Sequence, residues 1–134
     1  MIKIIAGDKG TGKTARLVED INTMAATDSN VVCIVRDDRL NQEIKPSVRL
    51  INIKEYPVCG YPQLLAFIAG ICSKDFDLTH IFIDSIKKLV GDDDLNNLGQ
   101  FLDGLDKFTG DNITTTIFLS ASVDSLPDQI KKYI

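Results

Sequence analysis

The sequence predicts a three-layer α/β domain, a mostly parallel sheet of about five strands flanked by helices. Three observations predict it. Short, unbroken apolar runs rich in Ile and Val recur along the chain, each too short to be a helix. Segments with apolar residues at helical spacing separate them. Strands that are apolar throughout, rather than alternating, belong to sheets covered on both faces. The 134 residues, 44% apolar and 25% charged, suit one domain with its own core.

Taken in order, Ile2–Ala6 is a buried strand ending at Gly7. Leu17, Val18, Ile21 and Met24 mark the first helix, and Asp28-Ser29-Asn30 a turn. Val31–Val35 is the second strand, closed by the charged cluster Arg36-Asp37-Asp38-Arg39. Leu40–Ile44 and Val48–Ile53 are expected to form a hairpin at the sheet edge, with Pro46-Ser47 as its turn. Tyr61-Pro62 starts a helix whose apolar residues (Leu64, Leu65, Phe67, Ile68, Ile71) cover most of its circumference, which predicts a well-buried element. Ile81–Ile83 is a strand stopping at Asp84. Gly91 to Asp94 supply a turn and an N-cap for an amphipathic helix marked by Leu95, Leu98, Leu102, Leu105 and Phe108. Thr115–Leu119 is the last strand. A short helix begins near Leu126-Pro127 and places Lys131 and Lys132 at its C-terminal end, where they suit the helix dipole.

Fifteen basic against nineteen acidic residues give a net charge of −4. That balance argues against electrostatically driven binding to nucleic acid or an anionic membrane. Cys33 and Cys72 lie in apolar runs and read as small core residues, and with Cys59 they form no CxxC pair. His80, the only histidine, reads as structural. No signal peptide or membrane span is apparent, so a cytoplasmic location is expected.

The chemically informative segment is Gly7-Asp8-Lys9-Gly10-Thr11-Gly12-Lys13-Thr14, which satisfies G-x-x-x-x-G-K-S/T, the Walker A motif or P-loop. Gly7 lets the chain leave the strand where a Cβ would obstruct it, and Gly12 lets backbone approach a phosphate closely. Loop N–H groups and the first helical turn converge where the helix dipole favours an anion. Lys13 places a cation on the β- and γ-phosphates, and the Thr14 hydroxyl is suited to ligate Mg²⁺. Ile81-Phe82-Ile83-Asp84 resembles Walker B, an apolar strand ending in a carboxylate able to hold Mg²⁺ opposite Thr14.

From Ile2 to about Ser122 the chain thus resembles the P-loop NTPases, most closely their RecA-like branch. That resemblance implies a strand inserted between the Walker A and Walker B strands, ending in a polar residue that senses the γ-phosphate. Ser120, or else Ser122, matches that position. The run from Gly7 to Arg39 is also similar to the thymidine kinases, whose zinc-ligand cysteines and C-terminal lasso have no counterpart here. The whole chain is similar to short bacterial P-loop ATP-binding proteins sometimes labelled as relatives of the twitching-motility ATPases. Those motors carry a further domain and acidic and histidine boxes that this chain lacks.

The RecA-like branch usually follows its Walker B aspartate with a glutamate that activates water, whereas here Ser85 follows Asp84. A hydroxyl orients a water but is no useful base near neutral pH. Glu55, following the third strand, is the best substitute base, with Asp37 and Asp38 as alternatives. The absence of Asn-Lys-x-Asp favours ATP over GTP. No arginine is evident in cis; Arg36, Arg39 and Arg49 are candidates to act across a homo-oligomer interface, with a protein partner as another source, although surface arginines usually have no such role. The resulting expectation is an ATP-binding protein with slow or partner-stimulated hydrolysis. The alternatives are a small-molecule, nucleoside-like kinase and a non-hydrolysing, nucleotide-dependent interaction module.

Overall fold

The computed structural model describes residues 1–27 and 29–134. The expected turn at Asp28-Ser29-Asn30 includes Asp28, which lies outside the described residues. The chain runs β1 (Ile2–Gly7), α1 (Lys13–Ala25), β2 (Val31–Val35), β3 (Arg49–Asn52), α2 (Gly60–Lys74), β4 (His80–Ile83), α3 (Ile86–Val90), α4 (Leu95–Thr109), β5 (Thr114–Ser120) and α5 (Asp128–Lys131). Each expected strand beyond the 40–44 segment is present within one residue or so of its anticipated ends.

All five strands are parallel, in the order β1-β5-β4-β2-β3. The last strand in sequence therefore lies between the first and the fourth, as the sequence reading expects. Alternate residues of β2 serve opposite faces. Val31, Cys33 and Val35 pack with Leu17 and Ile21 of α1, whereas Val32 and Ile34 join the larger cluster built on α2 and α4. Burial on both sides is why β2 reads as five apolar residues in a row.

The expected hairpin is absent among the described residues. β3 runs parallel to β2, with Val32 opposite Arg49 and Val35 opposite Asn52. A parallel pair needs a crossover of about a dozen residues, and residues 36–48 supply it. Leu40, Ile44 and Val48 recur every fourth residue, and all three pack into the α1-side cluster. The spacing belongs to a coiled turn rather than a strand. Glu43 and Ile44 both donate their N–H to the Leu40 carbonyl, at 3.0 and 3.2 Å.

α2 is less enclosed than its composition suggests. Tyr61, Leu64 and Ile68 are buried, while Leu65, Phe67 and Ile71 are half-buried. A groove of about 560 Å³ opens between its outer side and β3 and exposes Phe67 and Ile71, while Leu65 borders a smaller hollow beside α4. On its inner side α2 approaches α4 closely, because a Cβ at Gly104 would meet Leu65 Cδ2 at 2.9 Å.

α4 begins as expected. The Asp94 carboxylate accepts from the N–H groups of Asn96 and Asn97, at 2.8 and 3.2 Å. Asp92 is likewise committed, accepting from Asp94 N and Asn97 Nδ2. The carboxylates at 92 and 94 therefore shape a helix start. α3 is an element that periodicity missed, since five residues are too few to establish a period, although Ile86, Leu89 and Val90 are all buried. His80 stacks on Phe82 and its Nδ1 lies 2.8 Å from Thr79 Oγ1, a structural placement. No helix among the described residues is long and apolar enough to cross a membrane.

The C-terminal turn protects the outer edge of β1, where Ile4 N–H donates to the Tyr133 carbonyl at 2.8 Å. Asp103 of α4 anchors that turn, accepting from Tyr133 Oη (2.8 Å), Lys132 Nζ (3.1 Å) and Gln129 Nε2 (3.4 Å). The Tyr133 hydrogen bond, followed by that from Lys132, holds the Asp103 carboxyl below its ordinary range. A carboxyl lowered in the fold stabilises it above the ordinary carboxylate range and stops doing so as pH falls through the folded value. Asp103→Asn is therefore expected to lose less stability than the parent between about pH 6 and about pH 3, read as the shift in urea midpoint. Equal shifts would show that Asp103 does not hold the turn.

Candidate functional site

Parallel strands deliver all their carboxyl ends to one edge of the sheet, and ligands of such sheets bind there. Here that edge carries a cleft of about 520 Å³, lined by residues that follow β1, β2, β4 and β5 and by the first turn of α1. The register sets their spacing. Gly7 lies opposite Ser120, while Ile83, one residue before Asp84, lies opposite both Ile117 and Ile34. β5 thus projects beyond β4, and Ser120 sits beside the loop that leaves β1.

That loop depends on its glycines for two different reasons. Gly10 and Gly12 have φ of 87° and 82°, the left-handed region that side chains disfavour. Gly7 is instead a matter of space, since a Cβ there would meet Thr11 Oγ1 at 2.8 Å. Thr11 Oγ1 donates to the Asp8 carbonyl at 2.8 Å, and Lys13 Nζ donates to the same oxygen at 2.7 Å. Asp8 and Thr11 therefore build the loop from behind, while Lys9, Gly10, Gly12, Lys13 and Thr14 face the cleft. Lys13 Nζ also donates to Thr11 Oγ1 at 3.4 Å, and the third proton of the ammonium remains for a ligand. Gly12 offers no side-chain cap to α1 and the first turn holds no acidic residue, which leaves the helix's positive end open to an anion.

Asp84 forms the opposite wall. Only 5% exposed, it is held through its backbone N–H to the Ile34 carbonyl at 3.1 Å. Burial raises its carboxyl above the ordinary value, opposed by the Ser85 hydrogen bond and by Arg39, with Asp37 adding to the rise. Ser85 Oγ donates to Asp84 Oδ1 at 3.2 Å, and Arg39 Nη2 lies 3.7 Å from Asp84 Oδ2. Ser85 holds φ of 50°, alone among the described non-glycine residues in having a positive value. A left-handed serine costs the fold on the order of 1 kcal/mol, and strain of this kind concentrates at functional positions.

The cleft is cationic on an acidic protein. Lys9, Lys13, Arg36, Arg39 and Lys88 line it against only two carboxylates, Asp37 and Asp84. No arginine is evident in cis from the sequence, yet Arg36 and Arg39 both line the cleft within the one chain. Sequence reasoning assigned Asp84 and Ser120 from their places at strand ends. Arg36 and Arg39 were visible as the cluster closing β2, but their place in the cleft follows from the pairing of β2 with β4. Lys88 was hidden because it sits on α3. Phe118, which closes the cleft floor, is a core residue.

Other candidates lie elsewhere. Glu55 ends a 3₁₀ turn after β3, the edge strand farthest from β1, and is exposed outside the cleft. The sheet order is the reason, since the expected hairpin would have left its position free and the parallel edge does not. Asp38 accepts from Asn52 Nδ2 at 3.0 Å, Arg49 lines the groove beside α2, and the Ser122 carbonyl accepts from Ser125. The chain matches no protein-family model and no curated protein.

Ser85→Gly and Ser85→Ala both delete the hydroxyl, but only Gly relieves the positive φ. Ser85→Gly is therefore expected to be the more stable of the two by about 1 kcal/mol, measured by denaturant unfolding. Equal stabilities would show that Ser85 is unstrained.

Proposed function

We propose that this cleft binds a nucleoside triphosphate with Mg²⁺, ATP before GTP, and that the chain hydrolyses it slowly. The observation that carries the reading is convergence. A glycine-shaped loop, an open helix N-terminus and five cationic side chains face two strand-end groups, Asp84 and Ser120, across one cleft. A polyphosphate is the ligand whose charge such a lining complements.

The donor set also fits a divalent ion. Thr14 hydroxyl and the Asp84 carboxylate are hard oxygen ligands in the same cleft, and Asp84 already has a cation, the Arg39 guanidinium, beside it. Mg²⁺ would neutralise charge on the phosphate oxygens when bound. In this reading Lys13 pairs with the β- and γ-phosphates, the loop and α1 amides accept the rest of the chain, and Ser120 contacts the terminal phosphate. Ser85 orients Asp84 and leaves the site without a carboxylate base beside it.

Calorimetry with ATP, GTP and ADP, with and without Mg²⁺, tests the reading. Lys13→Ala is expected to weaken nucleotide binding at least tenfold (about 1.4 kcal/mol) in either condition. Thr14→Ala should remove mainly the Mg²⁺-dependent part. Both variants should stay folded, since neither side chain fills the core. Parent-like Mg·ATP affinity in both would overturn the proposal.

The same geometry sets an expected rate. P-loop enzymes run at about 10⁻⁴ to 10⁻³ s⁻¹ unassisted and near ~10⁻² s⁻¹ with an arginine in cis. With arginines in cis but no carboxylate base at position 85, turnover is expected at or below about 10⁻² s⁻¹, followed by phosphate release. A rate near ~1 s⁻¹ from the purified chain would show that the missing base has been overlooked.

A further inference from the structure

The arm carrying Arg39 is fastened on two sides. Asn22 of α1 grips it twice, donating from Nδ2 to the Glu43 carbonyl and accepting from Lys45 N–H, both at 2.9 Å. On the β3 side Asn52 Nδ2 donates to Asp38 Oδ1 at 3.0 Å, and Leu40, next to Arg39, is buried. Arg39 thus leaves a backbone whose position is set by α1 and β3. Its side chain joins carboxylates from two different strand ends. Nε donates to Asp37 Oδ1 at 3.1 Å, and Nη2 lies 3.7 Å from Asp84 Oδ2. Asp37 Oδ1 also accepts the Arg39 backbone N–H at 3.0 Å, which orients the start of the side chain.

We propose that Arg39 is a resident cation of the metal site. It holds Asp84 Oδ2 in the free protein, yields that oxygen to a divalent ion, and is then free to pair with the phosphate oxygens sharing the cleft. This deepens the nucleotide reading and rests on it. The physical basis is competition for one oxygen. Asp84 is buried, so its ionised form needs a positive partner, and beyond the Ser85 hydroxyl Arg39 is the one the structure supplies. A divalent ion and the guanidinium are drawn to the same oxygen and repel one another, so each weakens the other's hold on it. The planar, forked guanidinium gives up the Asp84 contact and takes phosphate oxygens, to which it is chemically suited, in its place.

The competition predicts effects of opposite sign. Removing Arg39 frees Asp84 for metal, yet takes a cation from the triphosphate. A residue that merely braced the loop would weaken both.

The test uses the full chain as parent, Arg39→Ala and Arg39→Lys. Mg²⁺ alone is titrated while the amide shifts of Asp84 and Ser85 are followed, and metal-free ATP is titrated by calorimetry. Arg39→Ala should lower the Mg²⁺ midpoint by about three- to tenfold and weaken metal-free ATP by about tenfold, magnitudes suited to a half-exposed pair. Arg39→Lys, which keeps the charge, should stay near the parent in both. An Arg39→Ala midpoint equal to or above the parent's overturns this inference while parental ATP binding leaves the nucleotide reading standing. A parent that binds no ATP with or without Mg²⁺ overturns both.

Discussion

Insertion of β5 between β1 and β4 is the arrangement on which the rest of the molecule depends. Neighbouring strands lie about 4.8 Å apart, so the ends of β1 and β4 are separated by about 10 Å with the end of β5 between them. That separation sets Ser120 between the loop that leaves β1 and Asp84 at the end of β4, and all three line one cleft. The insertion holds because Thr115–Leu119 is buried on both faces and offers a full set of backbone partners to both neighbours. A strand with one solvated face would have been confined to the sheet's margin.

Charge is distributed to match. The chain is acidic overall, yet its cleft is cationic, because many carboxylates outside the cleft are committed to structure. Asp94 and Asp92 shape the start of α4, Asp75 accepts from Asn30 Nδ2 and from the Asp77 N–H, and Asp103 anchors the C-terminal turn. The positive residues at the strand ends have no comparable set of acids facing them. A low-dielectric cleft wall focuses the field of those that remain. Net charge alone therefore described the surface and concealed the site.

The fold was legible where residues repeat a pattern long enough to carry a period, and illegible where they do not. The largely apolar runs of β1, β2, β4 and β5, the alternating run of β3, and the stripes of α1 and α4 show themselves directly. α3 does not, because five residues span little more than a turn. Leu40–Ile44, part of the 36–48 crossover, was misread as the first strand of a hairpin because its apolar residues four apart look locally like strand ends, whereas the expected second strand is present as β3. Within the site, the glycine pattern and Asp84 follow from local sequence, since loop geometry and a strand end are local properties. The arginines are not local in this sense. Arg36 and Arg39 enter the cleft only because β2 lies beside β4, a pairing between segments nearly fifty residues apart in the chain. Glu55 was misplaced for the converse reason, since its distance from β1 is set by three intervening strands.

The cleft is also where the fold is least satisfied. It gathers a serine in a left-handed conformation, a buried carboxylate whose ionised form is disfavoured, and five cations that repel one another. None of these helps the chain fold, and the apolar clusters on the two sheet faces, with residues such as Leu17, Ile21, Leu102 and Leu105 fully buried, must offset them. A polyanion with a divalent ion relieves two of the three at once. It separates the cations by neutralising them, and it gives Asp84 a closer positive charge than a guanidinium at 3.7 Å. Ligand binding in such a cleft is thereby coupled to stability through the same groups that make the empty cleft costly. Tension of this kind, confined to one edge of an otherwise well-packed sheet, is what the proposed nucleotide site would relieve on binding, and a loop merely rich in glycine would show none of it.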